Sequence, residues 1–466
     1  MSTRQDSAPS QPIGSRRDLV EWIATGEKLA NDWRIGTEHE KFPFYTGSLE
    51  PVPYDGPRGI RALMDALIER FGWEAIREGQ TTIALKRPDG EAGGTVSLEP
   101  GGQFELSGDP LTTVHEIADE TQSHLAQVKA CGEALGIGML GIGFSPLWKR
   151  DDVPSMPKRR YAVMSRYMPK VGSLGLDMMY RTCTIQVNLD FSSEADMVQK
   201  LRVGRALQPV ATALFAASPF TEGKPNGFKS MRGEVWRDTD TARTGNLPFA
   251  FETGMGYERY VDYALDVPMY FIYRDGHYID VAGASFRDFM AGSLPQRLRR
   301  PELAGYRATI DDWSDHLTTL FPDVRMKRFL EMRGADGGRL PQICALPAFW
   351  VGLLYDQTSL DAASDLVKSW TAEERDALRN GVPVGALATA FRKGTVRDLA
   401  RSALEIADAG LKRRARHAPS GRDETGYLDP LHEIVRNGQT AADAMLGLYH
   451  GRWGGDVSEV FNDYAF

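Results

Sequence analysis

Cysteine is almost missing from this sequence: its 466 residues include three, Cys131, Cys183 and Cys344, and no CxxC pair. So sparse and odd a set builds neither a disulfide framework nor a structural zinc site. Cys183 lies on the apolar side of an alternating run and reads as a buried thiol. The eight histidines supply no HExxH and no pair at zinc spacing, which disfavours metal-hydroxide hydrolysis. There is no GxxxxGK[ST] phosphate loop. Gly136-Ile-Gly-Met-Leu-Gly141 matches GxGxxG, but these glycines end a helix and open a strand, the reverse of the dinucleotide context. Positive charge is in deficit too: the net charge is -8 and the pI ≈ 5.6, which argues against nucleic acid as the main partner. The longest apolar run, residues 343–355, contains Pro347 and falls short of the roughly 20 residues a membrane span needs. Residues 1–14, rich in Ser, Gln and Pro, hold no apolar segment and predict a disordered tail rather than a secretory signal. Together these absences predict a soluble, cytoplasmic protein.

What the sequence does contain is carboxylate at alternate positions of short strands. Glu38 and Glu40 lie two residues apart in Arg34-Ile-Gly-Thr-Glu-His-Glu-Lys-Phe42, and residues i and i+2 of a strand share a face. Thr182, Thr184, Gln186, Asn188 and Asp190 alternate with Cys183, Ile185, Val187 and Leu189, the clearest strand in the chain. Gln103, Glu105 and Ser107 alternate with Phe104 and Leu106, Glu99 precedes them across a Pro-Gly-Gly corner, and Glu331 and Arg333 alternate with Leu330 and Met332. An antiparallel sheet with one face on a core and the other lined by these groups would concentrate negative charge. Buried carboxylates repel one another unless a proton or cation sits between them, and oxygen-only ligands suit Mg²⁺ or Mn²⁺. Cations flanked by arginines suit phosphoryl transfer.

The chain reads as α+β, with strand meanders and helices packed on the far face. Helices are expected from a Ser15 cap through Leu19, Val20, Trp22 and Ile23, and at 60–71, 111–135 and 194–218, the last bent or broken at Pro209, and from residue 347 onward. The segment 156–161 reads as a basic loop. Residues 221–248 read as a long loop in which Arg232, Arg237 and Arg243 could clamp an anion. With no repeat or low-complexity linker, residues 15–466 are expected to form one integrated unit.

Six segments also carry a resemblance: Ile35-Gly-Thr-Glu-His-Glu-Lys-Phe42, Glu99-Pro-Gly-Gly-Gln-Phe-Glu-Leu-Ser107, Met178-Met-Tyr-Arg-Thr-Cys-Thr-Ile-Gln-Val-Asn-Leu-Asp190, Pro219-Phe-Thr-Glu-Gly-Lys-Pro-Asn-Gly227, Tyr260-Val-Asp-Tyr-Ala-Leu-Asp-Val-Pro-Met-Tyr270 and Leu330-Glu-Met-Arg-Gly-Ala-Asp336. From about residue 18 to the C-terminus the chain resembles the plant-type glutamate-cysteine ligases, in a bacterial form. The resemblance implies a glutamine synthetase-like antiparallel sheet curled into a funnel, with helices outside and catalysis within. It implies that glutamate attacks ATP through its γ-carboxylate and that cysteine's amine captures the γ-glutamyl phosphate, giving γ-glutamylcysteine, the first step of glutathione biosynthesis, with glutathione as a feedback inhibitor. A related ligase with another amine acceptor is the alternative.

In this reading Mg²⁺ or Mn²⁺ is held by Glu38, Glu40, Glu105 and Glu331, with Gln186 and Glu99 beside them. Glu331 and Arg333 are the catalytic pair, Arg333 on the ATP phosphate, and Arg160, Arg232, Tyr270 and Asn188 bind substrate. Plant members carry cysteine pairs proposed as redox switches. Here Val281 and Gln296 stand where one pair would lie, and Cys344 faces Ala118 in the other, so the activity is expected to ignore disulfide reductants.

Overall fold

The structure is a computed structural model that describes residues 11–88, 90, 91 and 93–466. Its centre is the strand β1 (Ile35–Tyr45), 11 residues long, which runs through a nine-stranded sheet. The other strands are β2 (Glu74–Glu78), β3 (Thr81–Lys86), β4 (Thr95–Leu98), β5 (Phe104–Ser107), β6 (Ile137–Leu140), β7 (Thr184–Leu189), β8 (Val324–Met326) and β9 (Leu330–Asp336). Their order is β8-β9-β7-β1-β5-β4-β3-β2, with β6 joining the C-terminal half of β1. Every pairing in this sheet is antiparallel.

Alternation sends Ile185, Val187 and Leu189, all fully buried, to the outer face. There the helices α6 (Glu194–Leu214) and α8 (Leu340–Leu354) cover them in one continuous core with α10 (Val396–Arg414). Burying a Val, Leu or Ile side chain stabilises by about 1.5–3 kcal/mol, so this layer fixes which face of each strand looks inward. On the other side of β1, α2 (Ile60–Phe71) and α3 (Val114–Leu135) cover Phe104, Leu106 and Leu140. The architecture is α+β, as expected. Gly136 caps α3 in the left-handed conformation (φ 68) and leads into β6, so the GxGxxG glycines do end a helix and open a strand.

Four expectations differ. Residues 159–167 form the helix α4 (Arg159–Tyr167) rather than a loop, because Tyr161, Val163, Met164 and Tyr167 supply a buried stripe. α6 runs unbroken past Pro209. The stretch 221–248 is not open: it holds α7 (Met231–Val235) and the 3₁₀ turn Trp236–Asp238, and the fully buried Arg243 is spent on Asp240, Thr319 and Pro268. Of the tail expected to be disordered, residues 1–10 lie outside the described residues. Beyond them, Ile13 donates to the carbonyl of Ala308 at 2.9 Å and Ile310 to that of Gln11 at 3.3 Å, which fixes the chain from residue 11. No helix among the described residues is long and apolar enough to cross a membrane.

Candidate active site

The inward face of the sheet opens on a chamber with an empty volume of ≈ 660 Å³. Register builds its acidic side. Glu40 stands opposite Glu105 of β5, and Glu38 stands opposite Gln186 of β7. Between β4 and β5 the corner Pro100-Gly101-Gly102 closes tightly: Gly102 donates to Glu99 and Glu99 to Gln103, both at 2.9 Å. Gly102 has φ +86, and a Cβ there would meet Ile60 at 2.9 Å, so glycine is required for the turn that brings Glu99 back beside Glu105. Glu38, Glu40, Glu99 and Glu105 all line the chamber, each at most 8% exposed or else intermediate.

Burial dominates the chemistry of Glu40 and Glu99. It pushes the Glu40 carboxyl well above the usual range, helped by repulsion from Glu99 and Glu105, and it pushes Glu99 up to about 8, with Glu105 again adding. Glu40 is drawn back by Arg232 and by the Thr184 N–H, which donates to it at 3.0 Å. Glu105 accepts the hydroxyls of Ser107 at 2.7 Å and Ser97 at 3.3 Å. Glu99 Oε1 is buried without a hydrogen-bond partner among the described residues. An orphaned carboxylate oxygen among like charges, with oxygen donors only, fits a hard divalent cation. No three acidic, imidazole or thiol groups among the described residues already surround one point.

The opposite wall is basic. Arg160 of α4, Arg232 of α7, Arg325 of β8 and Arg333 of β9 line it with Trp236 and Phe321. Arg232 donates to the Arg333 carbonyl at 2.8 Å, and the Arg333 guanidinium reaches Gln186 at 2.5 Å and also Glu331. Arg325 comes from the strand facing Glu331 and Lys327 from the turn after it: Arg325 is the cross-strand partner of Glu331 and meets it at 2.7 Å, and Lys327 Nζ lies at 2.9 Å. Burial opposes the Glu331 charge, but Arg325, Lys327 and Arg333 outweigh it and hold the carboxylate well below the usual range.

Three residues therefore sit differently from the sequence reading. Glu331 is fully buried behind Arg325 and Arg333 and spends both oxygens on them and Lys327, so it neutralises the basic wall. Tyr270 is buried beneath Arg243, whose guanidinium lies 4.0 Å from its ring, and it hydrogen bonds to Met168 rather than facing the chamber. Asn188 is given to Glu38, donating at 2.9 Å. Of the proposed arginine clamp only Arg232 faces the chamber, since Arg237 pairs with Glu234 at 2.6 Å and Arg243 is internal. Arg325 and Lys327 went unnoticed in the sequence, although two basic residues so close before Glu331, one on its partner strand and one in the connecting turn, were a usable signal.

Behind the acidic strand lies an unusual support. Lys41 is completely buried, and its Nζ lies 3.1 Å from both His39 Nδ1 and His124 Nε2, with no carboxylate salt bridge among the described residues. Burial pulls its pKa down to about 7. Because the folded value is below the unfolded one, the unfolded chain holds more protons between about pH 7 and 10 and stability rises across that window. Lys41→Met is expected to stabilise by about 1–4 kcal/mol at pH 7, with the gain shrinking toward pH 10. Thermal denaturation of both proteins at pH 7, 8.5 and 10 checks this, and a constant difference would refute it.

The acidic strands thus face an arginine wall across one chamber of an antiparallel sheet, in an α+β architecture. The solved glutamate–cysteine ligase of Francisella tularensis, in complex with AMP, shares that fold: its TM-score is 0.54 at 13% identity, covering 94% of this chain and 89% of that one. Residues 34–463 match the glutamate-cysteine ligase family 2, and the chain belongs to that family. Among curated relatives, the chloroplastic glutamate–cysteine ligase of Medicago truncatula is 55% identical over 457 residues, covering 98% of this chain and 86% of the relative. Its counterpart in Arabidopsis thaliana is 54% identical over 464 residues, covering 100% and 85%. These chloroplastic relatives overturn the expectation of a cytoplasmic protein. A sparse cysteine set reports a reducing compartment and cannot tell one such compartment from another.

Proposed function

We propose that this protein joins the γ-carboxylate of glutamate to the amine of cysteine at the expense of ATP, forming γ-glutamylcysteine, ADP and phosphate. The carrying observation is one chamber with Glu38, Glu40, Glu99 and Glu105 on its sheet side and Arg160, Arg232 and Arg333 opposite. A γ-carboxylate oxygen of glutamate bonds to the γ-phosphorus of ATP as ADP leaves. The cysteine nitrogen then bonds to the acyl carbon, phosphate departs and the amine loses its proton. Arg160 and Arg232 suit the carboxylates of glutamate, bidentate partners for a guanidinium. Arg333 faces the transferring phosphoryl group, whose equatorial charge it offsets, and Glu331 with Gln186 fixes its position.

Glu38, Glu40 and Glu105, with Glu99 and Gln186 at the margin, would hold Mg²⁺ or Mn²⁺. A divalent cation there neutralises the triphosphate. Glutathione shares the γ-glutamyl group of the product and is expected to compete for the same arginines. All three cysteines are buried and unpaired, and Val281 is buried where one member of a redox pair would lie. Turnover in dithiothreitol is thus expected to stay within about twofold of turnover without it, and a several-fold change at fixed protein concentration would contradict this.

The deciding assay is ADP release with Mg²⁺, ATP and glutamate, with and without cysteine, beside Glu331→Gln. Turnover that needs both amino acids and collapses in the variant is the expected result. Turnover with another amine but not cysteine would overturn the acceptor, and no ATP turnover would overturn the ligase.

A further inference from the structure

Behind the basic wall lies a second chamber, with an empty volume of ≈ 500 Å³, between α6, α7, β9 and the helix α9 (Ala372–Gly385). The two chambers share Arg232, Arg333, Trp236 and Phe321, so these side chains are a partition with a face on each side. What marks the second chamber is unmet hydrogen bonding. Gln208, 2% exposed, lines it and has no partner among the described residues for either its amide nitrogen or its amide oxygen. Arg232 Nε and Trp236 Nε1, on the partition, are buried and likewise without partners. Leaving the hydrogen bonds of buried groups unmade is costly, and such groups call for an explanation.

Three of the four orphaned atoms are N–H donors, and guanidinium groups of Arg232, Arg333 and Arg379 stand in the same walls. The one carboxylate there, Asp323, is already taken by Arg379 at 2.8 Å. The backbone is cut to admit the amide: a Cβ on Gly334 of β9 would meet Gln208 Nε2 at 1.9 Å. Surplus donors and surplus positive charge select an oxyanion. The orphaned Gln208 oxygen adds a requirement, because it needs a donor and therefore an oxyanion that keeps a proton near neutral pH.

We propose that the second chamber is a binding site for inorganic phosphate, entered from the reaction chamber past Arg232 and Arg333. Phosphate fits the donor set because it accepts from Gln208, Arg232 and Trp236 while its own hydroxyl donates to Gln208. Sulfate, fully ionised, leaves that oxygen unpaired. The choice of phosphate over other protonated oxyanions rests on the ligase reading, in which phosphate is released on the far side of the partition.

Equilibrium dialysis of the full chain with radiolabelled inorganic phosphate is the test, against competing sulfate and beside Gln208→Met, which keeps the side-chain length and removes both polar atoms. The expected result is a saturable phosphate site that weakens at least tenfold in the variant and is displaced at least fivefold less effectively by sulfate than by arsenate. Equal binding in the two proteins, or equal displacement by sulfate and arsenate, would overturn the proposal. Crystals of the unmodified protein soaked in arsenate, which keeps a proton and scatters anomalously, give a readout independent of whether the variant folds. A peak beside Gln208 supports the site, and a peak confined to the chamber of Arg160 refutes it. Phosphate binding at Gln208 in a protein without ATP turnover would sink the ligase reading and spare the site. Normal ligation without phosphate at Gln208 would do the reverse.

Discussion

Arg333→Lys is expected to lower kcat for ADP release by on the order of 10³-fold, the scale of arginines that offset charge on a transferring phosphoryl group, with KM for glutamate changed by less than about threefold. The reason is geometric. Arg333 is tied at one end to Glu331 and Gln186 while its guanidinium faces the chamber, so its planar fork is aimed before substrate arrives. Lysine keeps the charge but loses the fork and the second anchor. Steady-state kinetics with glutamate and ATP varied separately decide the matter. A defect confined to KM for glutamate would remove Arg333 from the phosphoryl-transfer step and make it a substrate anchor.

The second large effect runs in opposite directions for activity and stability. Glu40→Gln should reduce turnover by roughly 10²–10³-fold, as expected when a ligand for catalytic charge is lost, and should raise the thermal midpoint of the metal-free protein. The amide still accepts the Thr184 N–H that Glu40 now accepts, yet it removes one of three crowded carboxylates. The folded pKa of Glu40 lies well above its unfolded value, so the folded state holds the extra proton and stability falls as pH rises through and above the unfolded value. The gain from Glu40→Gln is therefore absent below about pH 4 and grows toward neutrality. Added Mg²⁺ should stabilise the original protein more than the variant, because binding to the folded state alone shifts unfolding. Melting curves at pH 4, 6 and 8, with and without Mg²⁺, test all of this. A variant less stable than the original at pH 8 without metal would show that Glu40 contributes structure rather than repulsion.

How far the sequence could be read follows from the reach of each signal. Alternation is local, so the strands holding Glu38, Glu40, Glu105 and Gln186 and the inward direction of those side chains were legible from residues 35–45, 104–107 and 184–189. Pairing is not local. That Glu40 faces Glu105 and Glu38 faces Gln186 depends on which strands become neighbours, and only the folded sheet supplies it. Composition misled between residues 221 and 248, where glycines and prolines imitate an open loop while Arg243 and Asp240 are in fact interior. Glu331 shows the same limit: its strand and face were readable, but the three cations that occupy its carboxylate include Arg325 of β8 and Lys327 of the turn after it, which the sequence did not single out. Tyr270 belongs to a segment shared with the family, and family likeness alone did not reveal that Arg243 covers its ring.

The central position of β1 bears on how the molecule is made. Its partners arrive late: Asn188 bonds to Glu38 across 150 residues of chain, and β9, which brings Arg333, follows far behind. At a synthesis rate of about 5–20 residues per second, roughly 15–60 s separate the emergence of Glu38 from that of Glu331. Through that interval a growing chain carries the acidic strands with Arg160 and Arg232, but Arg325 emerges only near its end and Arg333 only after it. Loop closure over such spans is slow to be repaid by contacts, so the chamber assembles late and as a whole. A ribosome-bound or proteolytic fragment ending before residue 330 keeps the carboxylates but lacks Arg333, the group that faces the transferring phosphoryl, and with it the charge that phosphoryl transfer needs offset.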